Sequence, residues 1–206
     1  MSSAAGGPGK LLLLDSASLY FRAFFGVPDQ RRTPDEPPTN ALRGFIDMIA
    51  TLVTAHRPTH LVACWDDDWR PQWRVDLIPT YKTHRLVEGS AVAEESPDDL
   101  TPQVPLIRVA LGALGIARLG SPGFEADDVI GTLAHRHRGV MPVDVVTGDR
   151  DLLQLVDDAL VAAAHLVALV ALAQHRAGAG VGEVAGADEE QEVERRLLAQ
   201  LEAVLG

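Results

Sequence analysis

Residues 11–15 read Leu-Leu-Leu-Leu-Asp, four apolar side chains followed at once by a carboxylate. A run with no polar alternation suits a strand buried on both faces, the habit of parallel sheets covered by helices on either side. The pattern recurs in LVACWD at 61–66 and VDVVTGD at 143–149, which again end on aspartates, Asp66 and Asp149. Strands are therefore expected at 11–14, 60–65 and 143–147, with a short one at 116–119. Helical spacing lies between them. It covers 18–25, a stretch from Thr39 or Asn40 to about His56 with Leu42, Phe45, Ile49 and Leu52 in one stripe, a helix opened by Asp98 and Asp99 to about Leu114, and a helix from Glu125 to about His137. A last helix is expected to begin near Asp149 or Arg150. Alternation of this kind predicts an α/β fold, a doubly wound, mostly parallel sheet. Ligands of such sheets bind beyond the carboxyl ends of the strands, where Asp15, Asp66 and Asp149 are placed.

Composition narrows the class. The chain has 206 residues, 47% of them hydrophobic and 23% charged, the balance of a globular protein with ample length for a core. Its one cysteine, Cys64, lies within an apolar run, which excludes disulfide frameworks and cysteine-rich zinc sites and suits a cytoplasmic location. Residues 1–10 read as a flexible N-terminus without a signal-peptide core, and no run reaches the length of a membrane span. Residues 11–158 form the expected α/β domain. At Asp158 the composition changes: 159–206 is an Ala-, Val- and Gly-biased stretch followed by an amphipathic helix, read as an atypical helical, low-complexity tail. The net charge of −11 is awkward for a phosphate-binding protein, but acids that hold cations account for part of it.

Those acids carry the chemistry. Glu125, Asp127 and Asp128 open a helix, and Asp151 follows Asp149 by two. Each of these residues has an ordinary explanation as a turn, cap or first-turn acid. Gathered in one cleft, though, the carboxylates could not all stay ionised without cations, because like charges raise one another's pKa. Oxygen-only ligands favour Mg²⁺ or Mn²⁺, and two such ions can cleave a phosphodiester. The seven histidines have no ligand spacing. Between 66 and 85, Arg70, Arg74, Lys82 and Arg85 interleave with Trp69, Trp73 and Tyr81, a pairing of cations and rings suited to phosphate and unpaired bases. For the two tryptophans, core packing is an equal alternative.

DSASLYFRAFF, WDDDWRPQWR, PTYKTHR, GFEADDVIGTLA and TGDRDLLQLVDD, in that order across about 11–158, resemble the 5′-nuclease family. This family comprises the 5′→3′ exonuclease domain of bacterial DNA polymerase I, free-standing bacterial 5′-3′ exonucleases and flap endonucleases, with a PIN-like core. The resemblance implies metal-dependent hydrolysis of DNA with a free 5′ end or flap, without a membrane or nucleotide cofactor. It implies metal ligands at Asp15, Asp66, Glu125, Asp127, Asp128, Asp149 and Asp151. It implies catalytic cations at Lys82, Arg85 and Arg74, and DNA contacts from Arg22, Arg70, Arg74, Tyr81, Lys82 and Arg85. The family's later GD-x-S-D carboxylate pair and helix-hairpin-helix module have no match in 159–206. From this follow the expectations of a weakened second ion, impaired activity, and a truncated or frame-shifted tail. The alternatives are an inactive DNA-end-binding remnant and a PIN-type ribonuclease. An aspartate-nucleophile phosphatase is disfavoured, since Ser16 and Ala17 follow Asp15 where D-x-D is needed.

Overall fold

The computed structural model describes residues 9–33, 35–91 and 93–156. Among the described residues four strands form one all-parallel sheet: β1 (Leu11–Asp15), β2 (His60–Cys64), β3 (Ala117–Leu119) and β4 (Val143–Val146), in spatial order β3-β2-β1-β4. Helices α1 (Ser16–Gly26), α2 (Asn40–His56), α3 (Gln72–Leu77), α4 (Gln103–Ala113) and α5 (Ala126–His137) connect them, with 3-10 turns at Thr83–Arg85 and Arg150–Leu155.

The alternation along β1 sorts the core into two layers. Leu12 and Leu14 point to one face, where Leu19 and Ala23 of α1, Phe45, Ile49 and Leu52 of α2, and Ile107 and Leu111 of α4 cover them. Leu11 and Leu13 point to the other, packed with Ala126, Val129, Ile130 and Ala134 of α5. The doubly wound parallel sheet expected from the apolar runs is thus the architecture found. Buried Cys64 lies in the second layer, and burial pushes its thiol up to about 12, so it stays a neutral core side chain.

One helix starts later than its sequence suggests. Residues 98–102 form a turn and α4 begins at Gln103, because Pro102 has no N–H to donate to the carbonyl of Asp98. The delay brings Gln103, fully buried, to the start of α2. Its Oε1 accepts the N–H groups of Ala41 and Leu42 at 2.9 and 3.2 Å. Its Nε2 donates to Asn40 Oδ1 at 2.9 Å, and Asn40 Nδ2 donates to the carbonyls of Phe24 and Val27 at the end of α1. Two amides therefore satisfy backbone groups at a helix start and a helix end, joining α1, α2 and α4.

At the amino end of the sheet, Asp144, 1% exposed, receives Lys10 Nζ at 2.6 Å and His56 Nδ1 at 3.0 Å. This group lies at the opposite end of the strands from Asp15 and Asp149. Among the described residues no helix is long and apolar enough to cross a membrane.

Candidate active site

β1 and β4 are neighbours whose covering helices lie on opposite faces, so their carboxyl ends open into a crevice. Asp15, Asp66, Asp128 and Asp149 are each fixed by a backbone N–H at the start of a helix or turn. Asp15 caps α1, its Oδ1 accepting Ser18 N–H at 3.2 Å, and its Oδ2 accepts the Thr147 hydroxyl at 2.7 Å. Asp66 Oδ1 accepts Ala126 N–H at 2.7 Å, the first amide of α5. Asp149 caps the 3-10 turn Arg150–Leu155 through Asp151 N–H at 2.8 Å. Glu125 and Asp128 form a reciprocal capping box at the start of α5. The ordinary explanation of these residues as caps therefore holds, and it is what aims them at one edge.

The chain between β2 and α4 folds over that edge. Arg74 Nη1 donates to Glu125 Oε1 at 2.5 Å and its Nη2 to Asp128 Oδ1 at 2.7 Å. Tyr81 donates to Glu125 Oε1 at 2.7 Å, and Lys82 Nζ pairs with Glu125 Oε2. Lys82 holds a left-handed backbone, φ 51°, a conformation that costs a non-glycine residue energy and is concentrated at functional sites. Arg70 does not face the cleft; it donates to the carbonyls of Tyr81 and Ala91 and pins the segment's own backbone. Trp73 stands on the rim, 42% exposed, with its indole N–H on Gly123 carbonyl and its ring beside Phe124.

A cleft of about 940 Å³ results. Asp15, Asp66, Glu125, Asp127 and Asp149 line it, with Lys82, Arg85 and Arg22. Asp128 and Asp151 instead line a neighbouring hollow of about 630 Å³ together with Arg74 and Tyr81, and Asp127 borders both. The seven acids expected to form one group are thus divided, because the capping box turns Asp128 toward Arg74 and the 3-10 turn carries Asp151 past the edge. Residues that the sequence did not single out also line the cleft: Glu94, Glu95, Asp67 and Ser18. Glu94 and Glu95 arrive by the return of 86–95, where Leu86 bridges Glu94, a long-loop contact with no sequence signal.

Among the described residues, eight carboxylates and four cationic side chains line the cleft, an excess of negative charge. Burial, and then repulsion from Asp66 and Asp149, raises Asp15 to about 6 despite its hydrogen bonds. Burial and the fields of Asp15, Asp149 and Asp66 raise Asp127 to about 7. Burial also raises Asp66.

Residues 10–182 match the family described as 5′-3′ exonuclease, N-terminal resolvase-like domain. The chain belongs to that family. It is 64% identical over 151 residues to a 5′-3′ exonuclease of Streptomyces coelicolor, covering 72% of this chain and 50% of the relative. With a 5′-3′ exonuclease of Mycobacterium tuberculosis it shares 51% over 196 residues, 85% of this chain and 61% of the relative. The chain spans about half to three fifths of the length of these curated relatives. The solved structure of the T5 5′-exonuclease with divalent zinc ions bound shares the fold, with a TM-score of 0.54 and 20% identity over 73% of this chain and 53% of that one. The family match continues past Asp158. The tail beyond it, with the expectations about a second-ion carboxylate pair and a changed reading frame, lies outside the described residues.

The side chains present suit hard divalent cations by chemistry. The donors are all oxygen, and the excess charge that raises Asp15 and Asp127 is what a bound cation would offset. Among the described residues no three side chains converge as a ready-made ligand set, and Glu125 is taken up by Arg74, Tyr81 and Lys82.

Proposed function

We propose that the chain carries the active site of a 5′-3′ exonuclease or flap endonuclease, hydrolysing DNA phosphodiesters with Mg²⁺ or Mn²⁺. The observation that carries this reading is the meeting of Asp15, Asp66, Asp127 and Asp149, from four separate elements, opposite Lys82 and Arg85 in one cleft. Asp15, Asp66, Glu125, Asp127 and Asp149 would hold the ions, with Asp128 and Asp151 beside them. When bound, such ions supply an activated water and stabilise the leaving oxygen of the phosphodiester.

The chain's own residues do the rest. Lys82 and Arg85 face the acids from the covering segment, positioned to bind a scissile phosphate and offset the charge that grows on it. Arg74, now on Glu125 and Asp128, is the third such cation. Arg22 brings to the cleft a guanidinium with a buried Nη1 that makes no hydrogen bond within the protein, a donor suited to a DNA phosphate. Tyr81 offers a ring near the entering strand, and Arg70 acts on DNA through the segment whose backbone it holds. The partner is DNA with a free 5′ end or flap, and the reaction belongs with that DNA in the cytoplasm.

Cleavage of a 5′-labelled DNA flap in Mg²⁺ or Mn²⁺ tests the reading. Asp127→Asn should abolish cleavage, and Lys82→Ala should lower it on the order of 10²–10³-fold, as loss of a transition-state charge partner does. Equal background cleavage by wild type and Asp127→Asn would sink it. The second reading, an inactive DNA-end binder, draws support from the ion pairs that occupy Glu125 and Asp128, and predicts retained flap binding with no turnover. A matched RNA flap separates a PIN-type ribonuclease.

A further inference from the structure

One pairing step beyond Leu14 and Val146, β1 and β4 bring Asp15 and Thr147 side by side. Thr147 is 7% exposed, and its hydroxyl makes two hydrogen bonds: Oγ1 accepts Asp149 N–H at 2.9 Å and donates to Asp15 Oδ2 at 2.7 Å. The direction is fixed, because the hydroxyl has one proton and the Asp149 amide can only donate. Next to it, Ser18 N–H donates to Asp15 Oδ1 at 3.2 Å while Ser18 Oγ accepts Gly148 N–H at 2.7 Å. The two loops that carry Asp15 and Asp149 are therefore stitched together by a threonine from one and a serine from the other. The fit is close: a Cβ on Gly148 would come within 2.7 Å of Ser18 Oγ.

We propose that Thr147, with Ser18 beside it, is a positioning residue that sets the relative placement of Asp15 and Asp149 and thereby the affinity of the cleft for divalent cations. The proposal rests on the metal-dependent reading of the site. Without the Thr147 hydroxyl, Asp15 Oδ2 loses its donor and the Asp149 amide its acceptor. The two carboxylates then turn independently instead of presenting one pre-arranged pair. Outer partners of this kind typically govern metal affinity by about 10–100-fold.

The test is calorimetric titration of the full chain with Mn²⁺ alone, without DNA, for wild type, Thr147→Ser and Thr147→Val. Thr147→Ser keeps both hydrogen bonds and should bind within about 3-fold of wild type, while Thr147→Val should bind at least about 10-fold more weakly. Should the valine variant fail to fold, Thr147→Ala removes the hydroxyl without adding atoms and is judged by the same criterion. Gly148→Ala, which displaces Ser18 Oγ, should weaken Mn²⁺ in the same direction. If wild type binds Mn²⁺ and the valine or alanine variant binds equally well, the positioning role is overturned and the metal reading stands. If wild type binds no Mn²⁺, the metal reading itself falls.

Discussion

Asp15 and Asp127 store electrostatic tension that the rest of the fold must hold. Both have acid forms favoured in the folded state, at about 6 and about 7 against 3.8 for an unhindered aspartate. A folded-state value above the unfolded one means that the folded protein binds more protons between them, so stability declines as pH rises through that interval. In EDTA, the urea midpoint should therefore fall from about pH 4 to about pH 7 and level off above it. Asp127→Asn should remove the upper part of that slope, and urea melts at successive pH values check both. Much of this arrangement was legible in advance. Asp15, Asp66 and Asp149 could be read because an acid after a buried apolar run must sit where the strand leaves the core. The divergence of Asp128 and Asp151 could not, since a capping box and a 3-10 turn set it, and neither is visible as a period. Thr147 was hidden for another reason: its partner Asp15 is 132 residues away.

Elements contribute through what joins them. The segment over the cleft, 69–95, is held to α5 mainly by Arg74, Tyr81 and Lys82 on one buried residue, Glu125. Glu125→Gln removes the charge they share while keeping the shape. Trypsin should then cut after Arg85 faster than in wild type, and mass spectrometry of a timed digest measures the rate. Between α1, α2 and α4 the link is the Gln103 and Asn40 pair. Gln103→Ala strands two N–H groups of α2 away from water, which should cost about 3 kcal/mol at the usual 1–3 kcal/mol per buried unpaired group. Equilibrium denaturation measures that loss directly. The helix stripe of α2 was plain in the sequence. Its cap was not, because Gln103 lies 62 residues from Ala41 and reaches it only after Pro102 delays α4.

At the scale of the whole molecule, the two ends of the sheet divide their tasks. The carboxyl ends carry the cleft, and the amino end carries the buried Asp144 with His56 and the partly exposed Lys10. Removing Asp144 as Ala leaves the buried His56 imidazole without its acceptor and the partly exposed Lys10 without its partner, a loss on the order of 1–3 kcal/mol. Because that group is remote from the cleft, the Mn²⁺ affinity of the folded Asp144→Ala fraction should stay at the wild-type value. Calorimetry at a temperature below its melting transition separates the two effects.

The two faces of the sheet are also fastened differently. Among the described residues, three helices tied by buried amides cover one, while α5, seated through Ala126, Val129, Ile130 and Ala134, covers the other. Layers with fewer buried apolar contacts open at lower free energy than those with more. Native-state deuterium exchange should thus find the amides of α5 exchanging before those of α2. The acids at the head of α5 would then lose their register while Asp15 keeps its own, so a protein still largely folded could already be unable to grip a cation.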